Sequence, residues 1–490
     1  MGISRQTVHW FKISGARAEV PMKLSAPTSV ADSFASMVED GNRDFNLQDG
    51  SRVAVVGGGP AGSFFSYFLK NMAGAIDLDI QVDIFEPRSF SRCGPAGCNH
   101  CGGIVSESLV QILAAEGIVL PRSVVQRGVE SYIVHMDVGD VAIESPVHEQ
   151  RIAALYRGNG PREGGDAALE SFDGFLQGLA LEKGANLVRR MITGVKTEQG
   201  LPVLEFADRD PEQYDLVAVA SGVNSRFIEL LDDMPSEFEP PLTTRGHICE
   251  FRSTEEEVRR VLGDSVHVFL LDIPRFEFAA MIPKGPFVTV VMVGEDLDRE
   301  LVETFLSDPV VQRTFPVDST PCVCSCSPRI NLGARKRPYA DRFVFVGDSG
   351  VTRLYKDGIG AAFRTAKAAA TAAVFHGVSA DDFERHFWPA CKLIANDNRV
   401  GKLMFATNTV MKNSRLTRRA MLRMASDEQN SDQAAPHMSS LLWNMFTGSA
   451  PYTEMFRGTL HPGFLYNLAR SVLVSMLPGA RGAVPEKRVA

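Results

Sequence analysis

Six of the eight cysteines lie in two short clusters, and thiols at such spacings can carry out redox or metal chemistry. The clusters consist of Cys93, Cys98 and Cys101, and of Cys322, Cys324 and Cys326. In a cytosolic enzyme, such clusters favour metal or redox chemistry over structural disulfides. Neither spacing fits a common zinc or ferredoxin pattern. Three interpretations stay open: one zinc or iron–sulfur site shared by both clusters, a redox pair such as Cys98 with Cys101, or unmetallated thiols.

A glycine-rich run is the second segment whose residue types and spacing indicate chemistry. Gly57-x-Gly59-x-x-Gly62 follows the apolar run Val53–Val56 and precedes Ser63–Met72, which has the pattern of a helix. Gly57 permits a tight turn, Gly59 lets the backbone approach a pyrophosphate, and Gly62 lets the helix pack closely on the strand. The pattern therefore predicts a dinucleotide site, although glycines alone also occur in ordinary turns.

An acidic residue at the end of the next predicted strand strengthens this interpretation. The run Gln81–Phe85 has the composition of a strand, and Glu86 follows it. A carboxylate at that position can accept hydrogen bonds from the diol of a ribose. The order strand, glycine turn, helix, strand and acid predicts a nucleotide site but does not distinguish NAD from FAD.

Two later segments repeat the arrangement of a strand followed by a turn. Asp215–Ala220 predicts a buried strand ending in the turn Ser221–Ser225, and Arg342–Val346 predicts another that runs into Gly347–Gly350. The segment Lys356–Gly360 then opens a predicted helix of small residues, which is expected to end near residue 376. Each turn is expected to bring backbone N–H groups to one ligand.

An inserted antiparallel sheet is expected between these segments, where it would cover a substrate pocket. Four runs have the composition of strands and are separated by Pro, Gly and Asp: His247–Arg252, His267–Leu271, Phe276–Ile282 and Phe287–Val293. Further strands are predicted within Val129–Glu144, and helices are predicted at Ser106–Glu116 and Ser171–Gly184.

The chain has 490 residues, 44% of them hydrophobic, so it can bury a large core. Its net charge of −8 is uneven, because residues 391–490 carry 13 Lys and Arg against 6 Asp and Glu. The acidic body argues against nucleic acid as a partner. The basic, methionine-rich stretch Lys402–Met424 indicates either helix packing or a peripheral contact with a membrane or a partner protein. Neither a secretory signal nor a membrane-spanning helix is expected, so a cytoplasmic location is predicted, with membrane association as an open alternative.

Three separated segments together resemble the geranylgeranyl reductase family, within the flavoproteins similar to p-hydroxybenzoate hydroxylase. They are GGGPAG with Glu86, DLVAVASGVNS, and FVFVGDSG with DGIGAA, and the resemblance covers about Ser51 to Gly377. It implies FAD as cofactor, with Asp348 binding the ribityl chain. The residues it assigns to the cofactor are Gly57, Gly59, Pro60, Ala61, Gly62, Glu86, Gly102, Gly103, Gly347, Asp348, Gly358, Ile359 and Gly360.

Cys101-Gly102-Gly103 is similar to a segment that the reductase family places near the flavin. Phe172-Asp173 resembles the family's Phe-Asp helix, although Leu169 stands where the family has arginine. Arg353–Asp357 also departs from the family's proline, threonine, glycine and acid, which makes the expected flavin environment more cationic. Within it, Lys356 is interpreted as stabilising reduced flavin or orienting an acidic substrate, or as a solvated loop lysine.

The resemblance implies reduction of carbon–carbon double bonds in an isoprenoid or another hydrophobic substrate, by hydride transfer from flavin. Cys101, Tyr355 and Lys356 are the candidate catalytic residues, and a thiol such as Cys101 can supply the accompanying proton. Because a second GxGxxG is absent, NAD(P)H, ferredoxin or another electron-donor protein is expected to act transiently. Two alternatives are a flavin monooxygenase, and an electron-transfer flavoprotein whose metal or iron–sulfur centre passes electrons to a quinone or partner.

The predicted fold class is α/β, with a Rossmann-like FAD-binding domain, an inserted antiparallel substrate domain and a helical C-terminal region. The expected divisions are an N-terminal extension (1–50), the FAD-binding parts (51–128, 166–235 and 329–378), the substrate-domain parts (129–165 and 236–328) and the helical region (379–490).

Overall fold

The computed structural model describes residues 45–91, 101–145, 152–158, 170–231, 239–316, 320–430 and 436–477, with the backbone alone for 320–323 and 408–410. The predictions for residues 1–44, and for Cys93 and Cys98, lie outside the described residues, as does the side chain of Cys322.

A mostly parallel sheet, here the nucleotide sheet, contains the predicted dinucleotide fingerprint. In the described part of the chain its six strands are, in spatial order, Tyr339–Ala340, Phe343–Phe345, Leu216–Val219, Arg52–Val56, Gln81–Phe85 and Asn186–Val188. All neighbouring pairs are parallel except the first. The central strands are apolar on both faces because both faces are covered.

Helices cover one face of the nucleotide sheet and a small sheet covers the other. The helices Pro60–Ala75, Phe172–Glu182 and Gly358–Phe375 lie on the first face. The many alanines of Gly358–Phe375 let it pack closely against Pro60–Ala75, whose phenylalanines fill the space between them. The small sheet consists of Ile192–Glu198, Leu201–Phe206 and Glu212–Gln213.

A second large sheet, here the cavity sheet, is formed mainly by the predicted insertion. The seven strands described in it are, in order, Thr320–Cys326, His247–Arg252, Phe287–Gly294, Phe276–Lys284, Ser265–Phe269, Ser131–Met136 and Gly139–Glu144. All the pairs are antiparallel except Ser265–Phe269 with Ser131–Met136. The four strands predicted for the insertion are confirmed to within two residues at each end.

The two faces of the cavity sheet have different coverings, as period-2 alternation of side chains requires. One face packs beneath the helices Glu255–Leu262, Arg299–Ser307 and Pro309–Gln312. The other face is apolar and turns toward the nucleotide sheet. Two smaller sheets are also described. One has three strands, in the order Ile104–Ser106, Ile152–Leu155 and Val125–Val129, and the other pairs Thr243–Arg245 with Arg329–Asn331. The helix Glu107–Ala115 follows the first of these strands.

The C-terminal region is helical, as predicted. Its described helices are Ala380–His386, Trp388–Lys412, Arg415–Gln429, His437–Thr447, Tyr452–Thr459 and Pro462–Met476. Met404, Met421 and Met424 are buried, so they take part in packing. Arg418 is also buried and binds Asp137 across a distance of 2.6 Å. Membrane contact through Lys402–Met424 stays a prediction for its exposed residues, and no described helix is long and apolar enough to cross a membrane.

A buried pair of histidines on the covered face of the cavity sheet makes stability depend on pH. The His135 Nε2 and His267 Nδ1 atoms are 2.9 Å apart, and His135 also contacts Asp140. Burial, with a smaller effect of His135, lowers the pKa of His267 from 6.5 to about 3.

We expect acid to destabilise the protein through His267. Because its pKa is lower in the folded chain, the unfolded chain binds the proton first, so stability is present above about pH 6.5 and is lost between there and about pH 3. In His267→Gln, the loss of stability that protonation of His267 causes is expected to disappear. Urea unfolding at a series of pH values measures it, and identical pH profiles for the variant and the wild type would contradict this assignment.

Candidate active site

One cavity of about 1000 Å³ lies between the nucleotide sheet and the apolar face of the cavity sheet. Its lining includes every residue that the sequence assigned to the cofactor except Gly62, Gly347 and Gly360, together with all three candidate catalytic residues. A single cavity of this size can hold an extended cofactor and a substrate side by side.

The glycine fingerprint has the geometry that close approach to a phosphate requires. Gly57 has φ of 104°, and a Cβ on it would lie 2.6 Å from the Ala220 carbonyl oxygen. A Cβ on Gly62 would lie 1.9 Å from the Gly57 carbonyl oxygen. The helix that follows is capped by Gly59 without any side-chain hydrogen bond, and Pro60 occupies its first turn. Its first N–H groups are therefore left for a ligand, and the positive helix end favours an anion.

Glu86 lies buried at the end of its strand and borders the cavity. Its carboxylate accepts hydrogen bonds from the Gly58 N–H at 3.1 Å and from the Arg88 N–H and Nε at 3.0 Å each. The Arg88 Nη2 group also donates to the carboxylate at 3.2 Å. Each carboxylate oxygen has two acceptor sites, so all four are occupied and a ribose hydroxyl would replace one of the Arg88 contacts. This position fits the predicted adenosine site.

The GDSG turn packs closely against the glycine fingerprint. Gly347 has φ of 61°, and a Cβ there would lie 2.7 Å from the Cβ of Ala61. The next residue, Asp348, is exposed, but the surface it exposes lines the cavity. Burial of the surrounding region raises the pKa of Asp348, against the opposing effects of the Thr352 hydroxyl and the Arg157 charge. Asp348 thus presents a polar group to the cavity.

Arg157 is a cation that the sequence analysis missed. It follows the strand Ile152–Leu155, lines the cavity and forms a two-pronged salt bridge with Asp173, with both hydrogen bonds 2.7 Å long. The Arg157 and Asp173 side chains are 4% and 0% exposed. Since Asp173 belongs to the Phe-Asp helix singled out above, the helix holds a cation at the cavity although Leu169 replaces the family's arginine.

The segment Arg353–Asp357, here the clamped loop, has strained backbone. Tyr355 and Asp357 have φ of 59° and 49°, which is uncommon for residues other than glycine and is found often at functional sites. Asp357 caps the helix Gly358–Phe375 by accepting a hydrogen bond from the Gly360 N–H at 3.1 Å. Its other oxygen binds Arg353 at 3.0 Å.

Contacts from the C-terminal helices hold the clamped loop in this conformation. Arg353 donates to the carbonyl oxygens of Gly448 and Ala450 at 2.7 and 2.8 Å. Lys356 Nζ donates to the Asn444 carbonyl oxygen at 2.9 Å and lies 4.1 Å from the centre of the Tyr452 ring. The C-terminal region is therefore part of the site.

The two polar candidates in the clamped loop have shifted pKa values. Burial and the Arg353 charge lower the pKa of Lys356 well below 10.5, although Asp357 opposes them. Lys356 is therefore held by packing and hydrogen bonds, unlike a solvated loop lysine. Burial and the charges of nearby glutamates raise the pKa of Tyr355 to about 12, so its hydroxyl keeps its proton at neutral pH.

The cavity sheet supplies an apolar wall opposite these polar groups. Its lining side chains are Ile248, Val266, Val268, Leu270, Phe278, Ala280, Ile282, Val291 and Val293. Met445 and Phe446 of the C-terminal helices extend the same surface. A Cβ on Gly102 would lie 3.1 Å from the side chains of both Ile282 and Val291, so glycine at this position lets the Cys101–Gly103 segment approach the wall.

The described cysteines do not form a metal site. Cys101 lines the cavity, and its sulfur accepts a hydrogen bond from the Gly103 N–H at 3.4 Å. Cys324 is buried and Cys326 half-buried in the edge strand of the cavity sheet. Among the described residues, no group of three His, Cys, Asp or Glu side chains is placed to hold a metal. A zinc or iron–sulfur centre thus has no support from Cys101, Cys324 and Cys326, and the other three side chains lie outside the described residues.

Lys284 is another buried cation near the cavity that the sequence pattern did not indicate. It ends the strand Phe276–Lys284 and is 1% exposed. Its Nζ lies 3.2 Å from the point where a Cβ on Gly103 would stand. A lysine in Pro-Lys-Gly at the end of a strand is usually expected to face solvent. The burial of Lys284 therefore becomes visible only in the packed structure.

No family profile and no curated protein matches the sequence, but solved structures share its fold. The halogenase PltM in complex with phloroglucinol and FAD aligns with a TM-score of 0.55 at 13% identity, over 89% of this chain and 98% of that chain. A flavoprotein/dehydrogenase from Cytophaga hutchinsonii aligns with a TM-score of 0.56 at 14% identity, over 87% and 99%. A variant of a flavin-dependent brominase aligns with a TM-score of 0.50 at 14% identity, over 86% and 94%.

At these identities the comparisons establish the fold alone. It is the fold of the FAD-binding flavoproteins, and the predicted fold class is confirmed. The finer resemblance to geranylgeranyl reductases stays a prediction.

Proposed function

We propose that the chain is an FAD-dependent oxidoreductase that acts on a hydrophobic small molecule. One observation carries this proposal: a single cavity is lined by the glycine fingerprint, by Asp348 and the Cys101–Gly103 segment, and by the apolar wall. A nucleotide-binding protein without a second ligand has no need of such a wall, whereas a substrate held beside a cofactor needs one.

The residues of the cavity fit FAD. The Gly57 and Gly62 positions leave no room for a Cβ, and the uncapped helix N-terminus suits the pyrophosphate. Glu86 would bind the adenosine ribose and Asp348 the ribityl chain. The N-terminus of the helix Gly358–Phe375 would lie beside the flavin ring. FAD supplies the two-electron chemistry when bound.

The chain's own groups would bind and orient the substrate and supply protons. The apolar wall would exclude water and favour a substrate with few polar groups. The Tyr355 hydroxyl, protonated at neutral pH, and the Cys101 thiol line the same cavity and are the candidate donors of a proton. Lys356 would act by holding the clamped loop through Asn444.

Two reactions are consistent with this site. Reduction of a carbon–carbon double bond in an isoprenoid follows from the similarity of Cys101-Gly102-Gly103 to the reductase family. Monooxygenation, or halogenation, follows from the fold shared with the halogenase solved with phloroglucinol and FAD. Both place a hydrophobic substrate against the wall, and they differ in whether oxygen is consumed.

The two reactions are separated by one pair of assays on the FAD-loaded protein. For the reductase, geranylgeraniol added under anaerobic conditions after dithionite reduction is expected to restore the spectrum of oxidised flavin. For the monooxygenase, an aromatic compound such as phloroglucinol is expected to stimulate NAD(P)H oxidation together with oxygen uptake. Failure of both, over a series of polyprenyl and aromatic compounds, would contradict the proposed function.

Filling the apolar wall is expected to weaken substrate binding without affecting the cofactor. Ala280 lines the cavity from the middle of its strand, and phenylalanine there would occupy the volume of several methylene groups. We expect Ala280→Phe to raise the KM of the active substrate about tenfold or more, with FAD affinity within about twofold. The steady-state KM and a flavin titration measure both effects. Ala280→Ser, which keeps the volume, is the matched control, and equal KM values in the two variants would place the substrate elsewhere.

A further inference from the structure

The helix Pro462–Met476 exposes large apolar side chains to solvent, while its inner face is partly polar. Its buried face includes the small polar residues Ser471 and Ser475. Its solvent-facing side and the residue that follows it carry large apolar side chains, here the outer stripe: Leu465, Tyr466, Leu473, Met476 and, directly after the helix, Leu477, which are 51%, 69%, 65%, 60% and 58% exposed. A helix that only covers a core places such residues inward.

The outer stripe is continuous along the helix. With 3.6 residues per turn, its five residues fall within about 120° of the circumference. Single exposed apolar residues are ordinary on protein surfaces, but a contiguous stripe of this kind marks an interaction site.

The inner contacts show that the helix is attached to the core of the protein. Phe464 is buried in the core beside Trp443, and Leu468 packs against the same cluster. The neighbouring helix His437–Thr447 supplies Met445 and Phe446 to the cavity. The inner face of the helix thus shares a core cluster with the helix that contributes to the cavity.

Charge indicates which partner fits the outer stripe. Residues 391–490 carry a net charge of +7, against −15 for the rest of the chain. Arg470 lies at the edge of the stripe, and residues 478–490, which follow the helix, contain three basic residues and one acidic residue. A second copy would bring like charges together, whereas anionic lipid headgroups complement them.

We propose that the outer stripe binds the surface of a membrane that contains anionic lipid. The helix would lie in the plane of the interface, with Leu465, Leu473 and Met476 among the acyl chains and Arg470 among the headgroups. Its 15 residues are too few to span a bilayer. This contact involves residues other than the buried methionines of Lys402–Met424, and it would hold the cavity close to a source of hydrophobic molecules.

Cosedimentation of the full chain with vesicles tests this proposal. Binding is expected to vesicles of phosphatidylcholine mixed with phosphatidylglycerol, and to be about tenfold weaker with phosphatidylcholine alone or at high salt. The double variant Leu473→Ser/Met476→Ser is expected to bind the mixed vesicles at least about tenfold more weakly than the wild type. Val119→Ser, at a site 70% exposed in a different part of the chain, is the matched control and is expected to bind normally.

The proposal is overturned if the wild type does not bind the mixed vesicles, or if the double variant binds them as well as the wild type does. Light scattering on the same proteins identifies the competing occupant. Self-association that the double variant abolishes, without vesicle binding by the wild type, would assign the stripe to a second copy. Vesicle binding requires no flavin, so its failure leaves the proposed chemistry standing.

Discussion

Gly62→Ala is expected to weaken FAD binding by about 10- to 100-fold. A Cβ at this position would stand 1.9 Å from the Gly57 carbonyl oxygen, so the helix must move away from the turn that precedes it. Overpacking of this kind costs about 1–3 kcal/mol. The displaced turn would also lose its alignment with the pyrophosphate. Part of the overpacking energy therefore reduces the free energy of FAD binding.

Gly74→Ala provides a matched control within the same helix. No atom of the described residues lies within 4 Å of a Cβ at Gly74, so the substitution adds the same methyl group without a clash there. It is expected to leave FAD binding unchanged and stability the same or slightly higher, because alanine favours helix more than glycine does. Fluorescence titration gives both dissociation constants. Equal affinities for Gly62→Ala and the wild type would show that the fingerprint does not hold the cofactor.

Arg157→Met is expected to lower the free energy of unfolding by about 3–5 kcal/mol, because it removes the charge that binds the fully buried Asp173 carboxylate through two hydrogen bonds. It would also remove the charge that opposes the raised pKa of Asp348, so that pKa is expected to rise further. The double variant Arg157→Met/Asp173→Leu should lose less stability than the sum of its two single variants, since no charge is then buried alone.

A surface ion pair supplies the control for this prediction. Arg299 and Glu303 are 2.7 Å apart but 93% and 62% exposed, so Arg299→Met is expected to change stability by about 0.5 kcal/mol or less. Denaturant unfolding of the four variants and the wild type gives the comparison. If Arg157→Met changed the free energy of unfolding as little as Arg299→Met does, the Arg157–Asp173 ion pair would not stabilise the site.

The sequence was most informative where local pattern determines structure. The alternation of Phe276–Ile282 and the glycines after Val56 each depend on neighbours a few residues away, and both predictions are confirmed as secondary structure. The fold class followed because the order of these units restricts the possible topologies.

Contacts between distant segments could not be predicted in this way. Lys356 binds the carbonyl oxygen of Asn444, 88 residues later, through a backbone atom that every residue type has, so no sequence signal marks the partner. Arg157 had a weak signal, as an arginine directly after an apolar strand, but its pairing with Asp173 depends on how that strand meets the Phe-Asp helix. The outer stripe of the last helix was likewise hidden, because composition does not say which apolar face turns inward.

The assignment of an FAD site is tested by titrating the purified chain with FAD and following the absorbance and the quenching of flavin fluorescence. We expect a saturable complex with one FAD per chain, a perturbed flavin spectrum, and much weaker binding of NAD. Absence of FAD binding by the folded wild-type chain, or a preference for NAD over FAD, would contradict it.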